Sequence, residues 1–264
     1  MELEFNPLGG GNDADAQAFI TAASITDNTQ QSAINTLVTQ LKTYGIWTKL
    51  KAVYPFVGGT ASAHKFNLKD PRDLDAAFRL VFNGGWTHSA TGALPNGTTA
   101  YANTHLRPST VQMLNSNGFG YYTPSLNTTL STDVAPTGSY TQQNQSSTMG
   151  YPSNNTTIRT RLNDALITSS TITPIGLLST QKTSSTLTTL YKNNTNIGSG
   201  TSGGSLSIEP FYFGTANVYG LPYSAGYVNH EFRLVYISDG LDSTDITNFY
   251  TAVQTYQTTL SRNV

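Results

Sequence analysis

The stretch 228–240, VNHEFRLVYISDG, followed at once by 241–262, LDSTDITNFYTAVQTYQTTLSR, decides the fold. The first part alternates. Phe232, Leu234 and Tyr236 fall on one side of an extended chain, and Glu231, Arg233 and Val235 on the other. Gly240 breaks the run. Asp242 or Ser243 can cap a helix, with Asp245 in its first turn. Ile246, Phe249, Tyr250, Val253, Tyr256 and Leu260 then recur at helical spacing as one apolar stripe. The pattern predicts a central strand and an amphipathic helix that docks on the rest of the chain.

Upstream, the stretch 108–227 is almost uncharged and reads as short strands at 119–123, 157–162, 175–179, 186–191 and 209–214. Asn193-Asn194 supplies a hairpin turn. Turn signals at this spacing suggest a sandwich rather than a βαβ repeat. The polar stretches 125–157 and 196–207 read as rim or edge loops. Residues 46–107 carry more charge, with strand candidates in IWTKLKAVYPFVGG, FRLVFNGG and around Ala100–Thr104 and a helical turn at 61–68. The first 45 residues are helical. Asp13 can cap a short Ala-rich helix, and Asp27 with Gln30 resembles a capping box. The second helix carries the stripe Ile34, Leu37, Val38, Leu41, Tyr44 and stops at Gly45. The expected organisation is a helical region at 1–45 and a β domain at 46–264.

Composition narrows the chemistry. Only 11% of the 264 residues are charged, with formal net charge -1, so there is no basic footprint for nucleic acid. Cysteine is absent, which excludes disulfides, thiol catalysis and thiolate metal sites. No apolar run is long enough for a membrane span, and MELEFNPLGGGNDADA lacks the apolar core of a secretory signal. The expected route out of a cell is therefore lysis or assembly on a particle.

Two blocks carry a resemblance. They are IWTKLKAVYPFVGGTASAHKFNLKDPRDLDAAFRLVFNGGWTHSATGALPNGTTAYANTHLRPS and EFRLVYISDGLDSTDITNFYTAVQTYQTTLSR. Both resemble structural proteins of tailed bacteriophages and prophages, especially of Bacteroidetes hosts, which carry a concanavalin A-like (laminin G-like) jelly-roll module. The likeness runs from about Asp13 to Leu106 and from about Asn193 to the end. It implies an all-β jelly-roll sandwich with a short N-terminal helical region and a C-terminal helix. It also implies a non-enzymatic virion protein on the particle surface: a tail fibre or appendage module that adheres to host-surface glycan. The alternative is a capsid or head decoration or head-fibre protein with a purely structural role. Residues 1–45 would anchor or oligomerise the module, with a homo-oligomer such as a trimer and other virion proteins as partners. A secreted polysaccharide-degrading enzyme is disfavoured. Endoglucanases of this fold carry a Glu-x-Asp-x-x-Glu strand, and no such triplet exists here.

Each candidate site has a plainer reading beside it. Gly200-Thr201-Ser202-Gly203-Gly204 matches the nucleophile-elbow pattern, but no helix follows, so it reads as a loop. Glu209 and Glu231 are the one carboxylate pair on strand candidates, and as readily two solvent-facing residues. His64, His88, His105 and His230 show no metal spacing. Calcium is the one cofactor the fold would suit, with Asp70, Asp73, Asp133 and Asp239 as conceivable ligands. Asp70 and Asp73 equally fit an ion-paired turn. The glycan-binding candidates are Tyr219, Tyr223, Tyr227, Tyr101 and Trp86, because aromatic rings near Asn, Thr and Gly can stack on sugar faces. Tyr121, Tyr122 and Tyr151 share that pattern. Strand-face packing or a tyrosine-rich subunit interface is the competing reading, with Trp86 a core residue.

Overall fold

A computed structural model describes residues 11–126, 134–142, 145–151, 156–170, 172–201 and 203–264. It is a two-sheet β sandwich backed by helices. The six-stranded sheet runs β1 (Leu50–Tyr54), β17 (Leu234–Ser238), β6 (Asn117–Thr123), β11 (Gly176–Lys182), β12 (Thr188–Lys192), β13 (Thr195–Gly200). The nine-stranded sheet runs β10 (Ala165–Ser170), β9 (Thr157–Leu162), β8 (Gln145–Tyr151), β7 (Val134–Gln142), β14 (Tyr212–Phe213), β5 (Tyr101–Asn103), β2 (Val81–Asn83). The hairpin β15 (Asn217–Val218) and β16 (Leu221–Pro222) joins it alongside β7, and β3 (Trp86–Ser89) pairs β4 (Gly92–Pro95) separately.

The terminal strand and helix sit as the sequence predicts. β17 lies between β1 and β6, and both its faces are buried. Leu234 and Tyr236 face the helices, whereas Val235 and Ile237 face the inter-sheet core. Phe232 is a correction. It precedes the strand, bridges to Ala93, and packs in the inter-sheet core rather than with Leu234 and Tyr236. Asp242 caps α5 (Ser243–Thr259) through a reciprocal box with Asp245. Ile246, Phe249, Val253 and Tyr256 are buried, and Tyr250 and Leu260 flank them.

The amino-terminal helices complete that layer. Asp13 caps α1 (Ala14–Ala22), and Asp27 caps α2 (Asn28–Thr43) by accepting from Gln30 N–H at 2.8 Å. Gln30 does not return the bond; its Oε1 accepts from Gly58 N–H. Ile34, Leu37, Val38 and Leu41 are fully buried, and α2 packs along α5. The helices and one face of the six-stranded sheet share one apolar cluster, while the two sheets enclose the other. Two short helices, α3 (Ala61–His64) and α4 (Pro108–Val111), close loops.

The stretches expected to be loops hold strands. β7 and β8 fall within 125–157, and all but the first residue of β13 lies in 196–207. The apolar alternation in β7 and β8 is thin because Ser takes inward positions, as Thr does in the neighbouring β9. Ser139, Ser147 and Thr160 are buried, and Thr160 and Thr180 hydroxyls bond across the sheets at 2.7 Å. Among the described residues no helix is long and apolar enough to cross a membrane.

Candidate functional site

The outer side of the nine-stranded sheet is opposite the helices and carries tyrosines. Ser139, Ser147, Leu162 and Ala165 occupy one register row and are buried, so Gly138, Tyr140 and Arg161 face outward. Gly138 pairs with Tyr212, and Tyr212 with Asn103, which sets Tyr212 and Tyr101 on the same outer side. Their rings stack with centroids 4.9 Å apart and planes 25° apart. Burial and the neighbouring Tyr101 push the Tyr212 phenol up, and the same two causes raise Tyr227.

A second aromatic pair stands beside the first. The β15–β16 turn has Tyr219 at φ 53° and Gly220 at φ 85°, the pattern of a two-residue turn with both central residues left-handed. Glycine takes that conformation freely, whereas a tyrosine there costs about 1–2 kcal/mol. Tyr219 is nevertheless 64% exposed, and Leu221 beside it is 69% exposed. Tyr219 N–H donates to Tyr140 O at 3.0 Å, and the two rings meet edge to face at 5.7 Å. Burial, then Tyr219, raises the Tyr140 phenol. A strained, exposed ring braced by a second ring can offer a stacking surface.

One carboxylate reaches this surface. Glu209 Oε2 would lie 3.7 Å from a Cβ at Gly220, under the turn that carries Tyr219. Arg107 Nη1 stands 4.0 Å from it and donates instead to Ile208 O at 2.5 Å. Glu231, the other half of the sequence pair, is fully engaged. It accepts from Arg233 Nε at 2.7 Å and from Thr91 Oγ1 at 3.0 Å.

The remaining candidates separate. Tyr101, Tyr219 and Tyr227 belong to the tyrosine region. Tyr223 lies half-buried in the loop after β16, its backbone fixed by Ala216, Gly226 and the Thr215 hydroxyl. Trp86 packs against the inter-sheet core beside Phe82 and Phe232, and its Nε1 donates to Asn83 O and Tyr101 O. It therefore supports Tyr101 from within. Tyr121 and Tyr122 are fully buried on the two sides of β6, and the Tyr151 side chain lies outside the described residues. Tyr140 and Tyr212 were not anticipated. The outward parity of Tyr212 between Phe211 and Phe213 is the one local signal that could have found it.

The calcium candidates do not converge. Asp70 is bound by Arg72 at 2.7 and 2.5 Å, Asp73 by Lys65 and Arg79, and Asp239 by Lys51 at 2.8 Å. Hydrogen bonds from Arg72 and from Lys65 hold the first two carboxyls below the usual range. Asp133 and Ser202 lie outside the described residues. Among the described residues no group of three or more His, Asp or Glu is placed to hold a metal. The fold does join two histidines that lie 24 positions apart in sequence: His64 Nδ1 and His88 Nδ1 share a hydrogen bond of 2.9 Å. Burial, His88 and Arg262 drive His64 down to about 3, and burial lowers His88. The pair is a neutral contact walled by Phe56, Phe82 and Trp86.

No known protein family and no curated protein matches the sequence. Solved structures do match. A botulinum neurotoxin type C chain, from work on cell entry through two ganglioside molecules, is 13% identical with a TM-score of 0.57. The match covers 80% of this chain and 53% of that one. The binding domain of botulinum neurotoxin DC, in complex with rat synaptotagmin II, is 11% identical with a TM-score of 0.54, covering 79% and 53%. Domain 4 of AbnA, an arabinanase from Geobacillus stearothermophilus in complex with arabinotriose, is 16% identical at a TM-score of 0.47, covering 76% and 98%. This chain thus spans about half the length of the neurotoxin chains. At these identities the likeness is one of fold, a β sandwich.

Proposed function

We propose that this chain is a non-enzymatic adhesion module that binds glycan through the tyrosine face of its nine-stranded sheet. The observation that carries the reading is Tyr219: a large ring kept 64% exposed in a left-handed backbone, braced by Tyr140 and next to the Tyr101–Tyr212 stack. Two aromatic pairs on a neutral, hydroxyl-rich sheet suit the apolar faces and polar edges of sugar rings. The neurotoxin chains of the same fold, one from work on two ganglioside molecules and one in complex with rat synaptotagmin II, support a recognition role. The engagement of Glu231 by Arg233 and Thr91 speaks against hydrolysis by a Glu209–Glu231 pair.

The resemblance of the terminal blocks supports a bacteriophage virion, in a tail fibre or appendage, as the setting. The layer order fits this, because the helices and the tyrosine face lie on opposite sides of the sandwich. In this arrangement residues 1–45 join the module to other virion proteins or to further copies, and the tyrosines point to the host surface. A glycan array probed with the wild-type chain and with Tyr219→Ala tests the binding role. Selective glycan signal that Tyr219→Ala loses is expected, and no signal on any glycan sinks it. Immunogold labelling of phage particles tests the setting; label absent from every particle sinks the virion reading.

A further inference from the structure

We propose that Glu209 is the hydroxyl-recognising residue of this face, and that the sugar it selects is neutral, with two adjacent free hydroxyls, rather than acidic. The inference rests on the glycan reading of the tyrosine face and narrows its ligand class.

The backbone of Glu209 is held from both sides. Its N–H donates to Ser207 Oγ at 3.2 Å, and its carbonyl accepts from Ser139 Oγ at 2.9 Å. The side chain is 19% exposed and sits between the two aromatic pairs, under the Tyr219–Gly220 turn and within electrostatic reach of Tyr212. A carboxylate is an acceptor with room for several donors. Among the described residues none donates a hydrogen bond to this one, and Arg107 Nη1 stays 4.0 Å away. Two cations near this face already have a carboxylate or carbonyl to meet. Arg161 Nη1 stands 3.6 Å from Asp164, and Arg107 bonds Ile208 O. The Glu209 carboxylate, with Arg107 no closer than 4.0 Å, therefore has capacity left for donors.

A sugar ring stacked on Tyr219 presents its hydroxyls at the ring edge, towards that carboxylate. Two adjacent hydroxyls can donate to its two oxygens as charge-assisted bonds. An acidic sugar in the same pose would bring a second carboxylate against Glu209 and be rejected by like charge.

The test is an array of neutral gluco-, galacto-, manno- and N-acetylhexosamine oligosaccharides beside sialylated and uronate-containing ones. The full chain, Glu209→Gln, Glu209→Ala and Tyr219→Ala are compared, with thermal melts confirming that each variant folds. The expected result is binding to neutral glycans by the wild type. Glu209→Gln, which keeps the shape, should weaken that binding roughly tenfold or more, as loss of a charge-assisted bond implies. Methylating one of the two hydroxyls should weaken wild-type binding and leave Glu209→Ala indifferent. The assignment is overturned, with the glycan reading intact, if the wild type prefers acidic glycans. It is overturned equally if Tyr219→Ala loses binding while Glu209→Gln stays within twofold of wild type. If the wild type binds no glycan, the site reading falls and this inference with it.

Discussion

The two sides of the sandwich are built from the same strand alternation but finished differently. On the helical side the six-stranded sheet is covered by α1, α2 and α5, and nearly every charge is paired. Lys42 meets Asp13 and Asp15, Lys49 meets Asp245, and Lys51 meets Asp239, at 2.5 to 2.8 Å. Arg262, 3% exposed, closes that side by donating to the carbonyls of Phe56, Ala90, Thr91, Pro55 and Arg233. On the opposite side the nine-stranded sheet shows tyrosines, a strained turn and a carboxylate, Glu209, whose ion pair with Arg107 is long, at 4.0 Å. Paired charges stabilise modestly, whereas a strained backbone carries a cost and is a ground for proposing a role. The helical side is therefore the stability half, and the tyrosine side carries the features on which the proposed recognition role rests.

Substitutions can break this division, and the largest effect should come from the helical side. Arg262→Ala strands several buried carbonyls and should cost about 3 kcal/mol or more, read from urea denaturation. A loss under about 1 kcal/mol would show that the clamp is incidental. Acid is the next probe. His64 and His230 are both driven by burial from 6.5 to about 3 in the folded chain, His64 also by its neighbours His88 and Arg262. The unfolded chain therefore takes up protons first, and stability present above pH 6.5 is lost as pH falls towards 3. The slope should be about 1.4 kcal/mol per pH unit for each histidine, and His64→Gln should remove one histidine's share. A flat stability profile between pH 6.5 and 4 would contradict neutral, buried His64 and His230.

On the tyrosine side, Tyr219→Asn should have the opposite sign. Asparagine suits the left-handed position, so stability should rise by up to about 1 kcal/mol while glycan binding falls. Lost stability would mean that Tyr219 is a packing residue and would erase the contrast. The smallest effect should come from Lys42→Gln. Its partners are partly exposed, so the change should cost no more than about 1 kcal/mol and shrink as salt is raised. A larger, salt-independent loss would show that the paired charges hold α1 and α2 in place.

Much of the helical side was legible in advance because its signals are local. Asp13, Asp27 and Asp242 each bond a backbone N–H within three residues, and the stripes of α2 and α5 repeat every three or four. The tyrosine side was legible only in part. Tyr101, Tyr219 and Tyr227 stood out near turns, but Trp86, equally prominent, serves the core. β7 and β8 were hidden because Ser fills inward positions that an apolar pattern reserves for Leu or Val, and β13 because glycines, Gly198 and Gly200, face Ile167.

The sequence by itself determined the helix caps, the closing strand and its docked helix, the neutral composition and the sandwich class. Short-range hydrogen bonds and side-chain period suffice for these. Only the tertiary structure decided which tyrosines share a face and which carboxylate lies beside them. Tyr212 meets Tyr101 through the register of β14 and β5, and Tyr140 meets Tyr219 through the parallel pairing of β7 and β15. Glu209 is fixed by Ser139, 70 residues away. Such contacts depend on sheet register, and register is set by the whole buried face rather than by any one segment.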